Sequence, residues 1–218
     1  MSTAAIELPL FPLDVVLFPG TALPLHIFEP RYRQMIADCV REDMPIGIVL
    51  AKPESEYLQE VPYSIGTMAE IRNLDQLPDG RYTLIAVGTR RFRIINQHHQ
   101  KPYLSALVEP IEDAVEPTST LLPPMGQASM LFNKYLDMLL EAVNEEDDLE
   151  MGLPEEPEGL SYCVAYFLDI QNEAKQRLLE LTSTHERLDE EIAILRREVP
   201  FMRKILSQNL PEERSKLN

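Results

Sequence analysis

Glycine is scarce in this 218-residue chain, eight residues scattered singly, so no glycine-rich loop stands ready to cradle a phosphate. The G-x-x-x-x-G-K-[ST] pattern of a P-loop is absent as well, which excludes that route to nucleotide hydrolysis. Cysteine is rarer still. Cys39 and Cys163 are the only two, without the C-x-x-C spacing of a zinc or redox site. Each falls on the apolar face of a predicted helix, where a reduced thiol packs as a small hydrophobe. No apolar run approaches the roughly 20 residues that cross a bilayer. The opening MSTAAIELPL also lacks the basic and apolar regions of a signal peptide. A cytoplasmic protein without membrane contact is expected.

Positive charge is short too. The chain holds 20 Lys+Arg against 36 Asp+Glu, a formal net charge of −16. The imbalance lies late: residues 1–110 hold 10 against 13, whereas residues 111–218 hold 10 against 23. From Tyr135 to Ala174 there is no lysine or arginine at all. Binding to nucleic acid depends on cations displacing counterions from phosphates, so this partner is excluded. The carboxylates Asp147, Asp148 and Glu150 lack the alternating spacing that wraps calcium and read as a solvated linker. His98 and His99 are neighbours on one predicted strand, so they point to opposite faces and do not chelate together. His26 reads as a packing residue at a strand end, and His185 as solvated in a first helical turn. Neither a cofactor nor a metal is expected.

What is present is patterned. Between Glu7 and Ile36, prolines 9, 12, 19, 24 and 30 separate short apolar runs. Proline survives in strands only at edges, ends and bulges, so these runs are short strands winding around something. From Pro30 the spacing changes, and Phe28, Tyr32, Met35, Ile36, Cys39 and Val40 recur as one helical face. Further strands are predicted at Ile46–Ala51, Ile65–Asn73, Tyr82–Val87, Phe92–Gln97 and Tyr103–Glu109. Pro78-Asp79-Gly80 is a turn joining two antiparallel strands. Arg90, Arg91 and Arg93 form the one basic cluster and read as salt-bridging partners for the acidic half.

After the proline-rich stretch Pro117–Pro124 the period lengthens to that of helices. Ala128, Leu131, Phe132, Tyr135, Leu139, Ala142 and Val143 mark one, and Leu160, Cys163, Val164, Phe167 and Leu168 a second. A third runs from about Glu173 to Leu181. Ser183 and Glu186 are the capping-box signature of a fourth, with the stripe Leu188, Ile192, Leu195 and Val199. Pro200 predicts a kink or break near Glu198. The residues therefore divide into a β-rich unit over 1–116 with one inserted helix at about 29–42, a helical unit over 117–210, and a polar tail over 211–218. The fold class is α+β.

The opening segment resembles the N-terminal domain of Lon proteases, found also in cereblon and in stand-alone Lon-domain proteins. The matching residues are Leu8-Pro9-Leu10-Phe11-Pro12-Leu13, Leu17-Phe18-Pro19-Gly20, Pro24-Leu25-His26-Ile27-Phe28-Glu29 and Pro30-Arg31-Tyr32. Looser echoes follow at Ile65-Gly66-Thr67, at Gly88 with Arg91-Phe92-Arg93-Ile94, and in the helices from Ala174 to Val199. The resemblance implies a PUA-like antiparallel β pseudo-barrel followed by a C-terminal helical bundle. It also implies a part that handles substrates, without the ATPase or the Ser-Lys peptidase of a complete Lon.

The implied role is a non-catalytic protein-binding module, taking unfolded or tagged polypeptides and acting beside a Lon-type protease. A second copy of the chain is a further candidate partner. A sheet edge open to strand addition and an apolar patch are the two features suited to a peptide. Phe11, Tyr32, Met35 and Met68 are the candidate binding residues, with a core role the competing reading for each. Two other roles stay open because fold does not set function: an enzyme or small-ligand binder, and a structural or regulatory subunit docking on a basic partner through its acidic half.

Overall fold

The computed structural model describes residues 5–53, 61–143 and 152–209. The acidic run 147–150 and the tail from 211 lie outside the described residues. The chain forms two compact units, Met1–Ala114 with Ala165–Thr182, and Val115–Val164 with Ser183–Asn218. The division differs from the boundary predicted at 116, because the segment 165–182 belongs with the strands.

In the first unit the proline-cut runs become β1 (Ile6–Leu13) and β2 (Ala22–Ile27), followed by α1 (Pro30–Glu42). Pro30 opens the helix at a position that needs no donor. Asp43 closes it in the left-handed region at φ 51°, with the Met44 N–H donating to the Cys39 carbonyl at 2.9 Å. Then come β3 (Ile46–Leu50), β4 (Ile65–Gln76), β5 (Tyr82–His98) and β6 (Ser105–Ile111). The turn 78–80 joins β4 to antiparallel β5, with Gly80 at φ 81°. The two strands predicted between Tyr82 and Gln97 are one continuous strand, bent by a bulge at Thr89. Gly88 there lies so close to the Phe18 carbonyl oxygen that an added Cβ would sit 2.4 Å from it.

Pairing closes the sheet. β1 runs parallel to β3 and antiparallel to β6, β3 pairs with β4, β4 with β5, and the second half of β5 with β6. These five strands form a ring, and β2 joins the first half of β5 as the sixth. Alternation along each strand then sorts the apolar side chains into two layers. Leu8, Leu10, Val49, Met68, Phe92, Leu104, Ala106 and Val108 fill the ring. Gly47 and Gly66 face the same interior, where a Cβ on either would come within 3.0 Å of the Phe92 ring. Phe11, Ile27, Ile46, Ile48, Ala69, Leu84 and Ala86 turn outward and pack with Tyr32, Met35, Ile36 and Cys39 of α1. Burial pushes the Cys39 thiol up to about 12.

Phe28 corrects the sequence reading. It belongs to the apolar spacing of α1 but is 61% exposed, since it precedes the helix and is not held over the sheet. Phe11 and Tyr32 do meet, with ring centroids 4.2 Å apart, and Phe18 is fully buried.

α4 (Asn172–Glu180) is bound to this unit by polar contacts invisible to periodicity. Arg91, 2% exposed, donates to the Leu179 and Leu181 carbonyls at 2.7 and 2.6 Å and pairs with Asp113. A cation there meets the negative end of the α4 dipole. The Gln176 amide donates to the Ile65 carbonyl at 3.0 Å. Of the basic cluster, Arg93 pairs with Glu109 at 3.3 Å.

The second unit holds α2 (Thr118–Val143), most of α3 (Pro157–Phe167) and α5 (Thr184–Asn209). α2 begins before Pro123 and Pro124 and not after them, and α5 runs through Pro200 without a break. In α5 the buried stripe Leu188, Ile192, Leu195 and Val199 holds the helix up to the proline, so one missing backbone bond does not end it. The α5 cap is completed from afar: the Ser183 hydroxyl accepts from the Glu186 N–H at 3.1 Å and donates to Glu116 at 2.9 Å.

Candidate functional site

A strand that outlasts its neighbour leaves backbone groups unpaired. β4 pairs with β3 only through Ala69, while its ladder with β5 continues to Gln76. Among the described residues, no backbone group pairs with Glu70–Gln76 on the side away from β5. A groove of ≈ 780 Å³ runs beside that edge. Met68, Glu70 and Arg72 line it from one face of β4, Ile71 from the other, and Leu74 from within the bulge beyond. Residues of both strand faces border a single hollow only where that hollow follows the edge. The opposite wall is the end of α1 with Asp43, Met44 and Pro45, where Val40 is 52% exposed.

The rim is charged and unevenly paired. Arg72 is bound to Glu70. Thr89 donates its hydroxyl to the Met68 carbonyl at 3.1 Å, and exposed Arg90 stands next to it. Among the described residues neither Arg90 nor Asp43 has an ion-pair partner. The other sheet edge, β2, carries Pro24, which lacks the donor that an incoming strand needs.

The four candidate residues from the sequence are interior. Phe11 is 6% exposed, Tyr32 3% and Met35 0%, all in the layer between α1 and the sheet, and Met68 is 1% exposed inside the ring where it borders the groove. A peptide reaches none of the first three in this conformation, because the β layer and α1 close over them. The sequence reading missed Val40 as a surface residue, along with Ile71, Leu74 and Arg90. Val40 shares the spacing of the buried stripe, and only the structure shows that it is exposed.

A second polar cluster, in the helical unit, is arranged like a catalytic set. Arg187 donates to the Ser161 hydroxyl at 2.7 Å, and Ser161 donates to Glu191 at 2.8 Å. Burial pushes the Glu191 carboxyl well above the usual range, against the opposing pull of Ser161 and Arg187. All three residues are 0% exposed, so the hydroxyl meets no substrate and the cluster is structural. Among the described residues no group of three His, Cys, Asp or Glu is placed to hold a metal. None of the described helices is long and apolar enough to cross a membrane.

The sequence matches the ATP-dependent protease La (LON) substrate-binding domain over residues 7–197. The chain belongs to the Lon substrate-binding domain family. It is 29% identical over 197 residues to Lon protease 2 of Myxococcus xanthus, covering 87% of this chain and 23% of that relative. A Lon protease of Parabacteroides distasonis is 36% identical over 110 residues, 49% of this chain and 13% of its own. The chain thus spans about a quarter or less of the curated relatives it matches. Among solved structures, a Lon N-terminal domain protein from Xanthomonas campestris is 27% identical, with a TM-score of 0.63 over 86% of this chain and 98% of that one. The N-terminal domain of Mycobacterium avium complex Lon protease shares the fold, with a TM-score of 0.64, 20% identity, and coverage of 87% of this chain and 98% of that one. The helix α1, the groove and all of the ring but Ile6 fall inside the matched residues.

Proposed function

We propose that this domain is a protein-binding module that takes unfolded or tagged polypeptide segments into the groove between α1 and β4, with no chemistry of its own. The groove carries this reading: an open hollow, part apolar and part charged, next to unpaired backbone. Family membership supports the substrate class, and the missing P-loop supports binding without catalysis. The proteolytic partner in this reading is a Lon-type protease. One small groove that must also order a flexible chain binds in the micromolar range, about −8 kcal/mol.

The test is titration of a labelled unfolded polypeptide, with a folded control, against the native protein and Val40→Glu. The native protein should bind the unfolded chain alone, with little loss as salt rises. Val40→Glu, at an exposed position, should weaken binding while the unfolding midpoint stays put. Equal binding by the variant would place the site elsewhere, and binding that vanishes at high salt would favour an acidic docking subunit.

A further inference from the structure

The groove borders unpaired backbone as well as side chains. Resting on the peptide-binding reading above, we infer that its guest is added to the sheet as a strand along Glu70–Arg72. The guest lays an apolar side chain between Val40 and Ile71 and sets a carboxylate at Arg90.

Three independent observations lead there. First, the stretch is a true edge: β3 begins only opposite Ala69, while β5 also pairs with Glu70, Ile71 and Arg72. An unpaired edge presents N–H and C=O groups at alternate residues, the template for strand addition. The bulge between Arg72 and Asp75, with Asn73 at φ 48°, ends the template and limits the added strand to a short segment. Second, the rival edge on β2 is blunted by Pro24. Third, the charges are placed asymmetrically. Arg91 and Arg93 are neutralised by Asp113 and Glu109, and Arg72 by Glu70, yet Arg90 has no acidic partner among the described residues. Asp43 stands on the α1 wall. An acidic side chain is therefore favoured on the β5 side of the groove and repelled on the helix side, which orients the guest. The occupant is an extended, mainly apolar peptide segment with one acidic residue, not a helix and not a polyanion.

The experiment uses the full chain and a short labelled apolar peptide bearing one glutamate. Two versions carry N-methyl groups on alternate backbone amides, one on the odd set and one on the even set. An added strand turns one set toward β4 and the other to solvent, so one version should lose about tenfold in affinity and the other little. Exchange of the glutamate for lysine should weaken binding by up to about fivefold, and Arg90→Glu should reverse that preference. Equal effects of the two methylation patterns, with the peptide and the unfolded polypeptide still bound, would overturn strand addition and leave the peptide-binding reading standing. An unchanged charge preference in Arg90→Glu would overturn the carboxylate contact. Failure of every peptide and of the unfolded polypeptide to bind would remove both.

Discussion

The Tyr103 hydroxyl donates a 2.8 Å hydrogen bond to the Asp38 carboxylate, tying α1 to a residue 65 positions later in the chain. Arg41 holds the other carboxylate oxygen at 2.7 Å. Burial raises the Asp38 carboxyl, but the Tyr103 and Arg41 contacts outweigh it and hold the group below its ordinary 3.8. A depressed folded value contributes stability that is present above the unfolded value and lost as pH falls through the folded one. Tyr103→Phe should lower stability at pH 7 by about 1–3 kcal/mol, the usual loss for a hydrogen bond to a charged group. Chemical denaturation should show the difference between the two proteins shrinking in acid. A difference that is the same at all pH values would mean that Asp38 is not the partner that matters.

Glu191 runs the other way. Its folded value is raised by burial, so its contribution is complete below the unfolded value near 4.5 and lost as pH rises through the folded one. Glu191→Gln keeps an acceptor for Ser161 and removes the charge. The variant should gain on the native protein as pH rises from 5 to about 8, read from thermal unfolding of the helical unit. A constant gap across that range would show that burial does not raise the Glu191 carboxyl.

Glycines 88 and 126 should respond oppositely to alanine. At Gly88 the new Cβ would meet the Phe18 backbone oxygen at 2.4 Å, and backbone cannot swing aside as a side chain does. Gly88→Ala should cost about 1–3 kcal/mol. Gly126 lies in α2 with nothing within 4 Å of the new Cβ, so Gly126→Ala should stabilise by about 0.5–1 kcal/mol. Urea midpoints of the two variants give the comparison directly.

Two phenylalanines of the opening motif should separate just as clearly. Phe18 is fully buried and Phe28 is 61% exposed. Phe18→Ala should cost about 3–5 kcal/mol, whereas Phe28→Ala should stay within about 0.5 kcal/mol. A large cost at Phe28 would restore it to the core.

The binding-only reading predicts neither ATP hydrolysis nor cleavage of unfolded casein by the purified chain, and no P-loop stands in its sequence. Turnover above that of a mock purification would contradict the binding-only reading.

Much of this was determined locally. Prolines 9, 12, 19, 24 and 30 allow only short strands, Pro30 followed by the Tyr32, Met35, Ile36, Cys39 spacing makes a helix, and Pro78-Asp79-Gly80 makes a turn. Each follows from the φ limits of proline, the freedom of glycine and the period of 3.6, all properties of neighbouring residues. Periodicity says which side chains share a face but not what covers that face. Val40 and Phe28 carry the helical spacing and are nonetheless exposed, and Phe28 precedes the helix altogether. Ring closure depends on β5 being long enough to pair with β2 and then with β6, a fact about partners distant in sequence. The placement of 165–182 beside the strands involves buried Arg91 finding two carbonyls about ninety residues away and Gln176 reaching the Ile65 carbonyl. The groove lies where β4 runs on past the first residue of β3. Relative strand length is meaningful only once the strands are paired, so tertiary structure alone decided where a guest can bind.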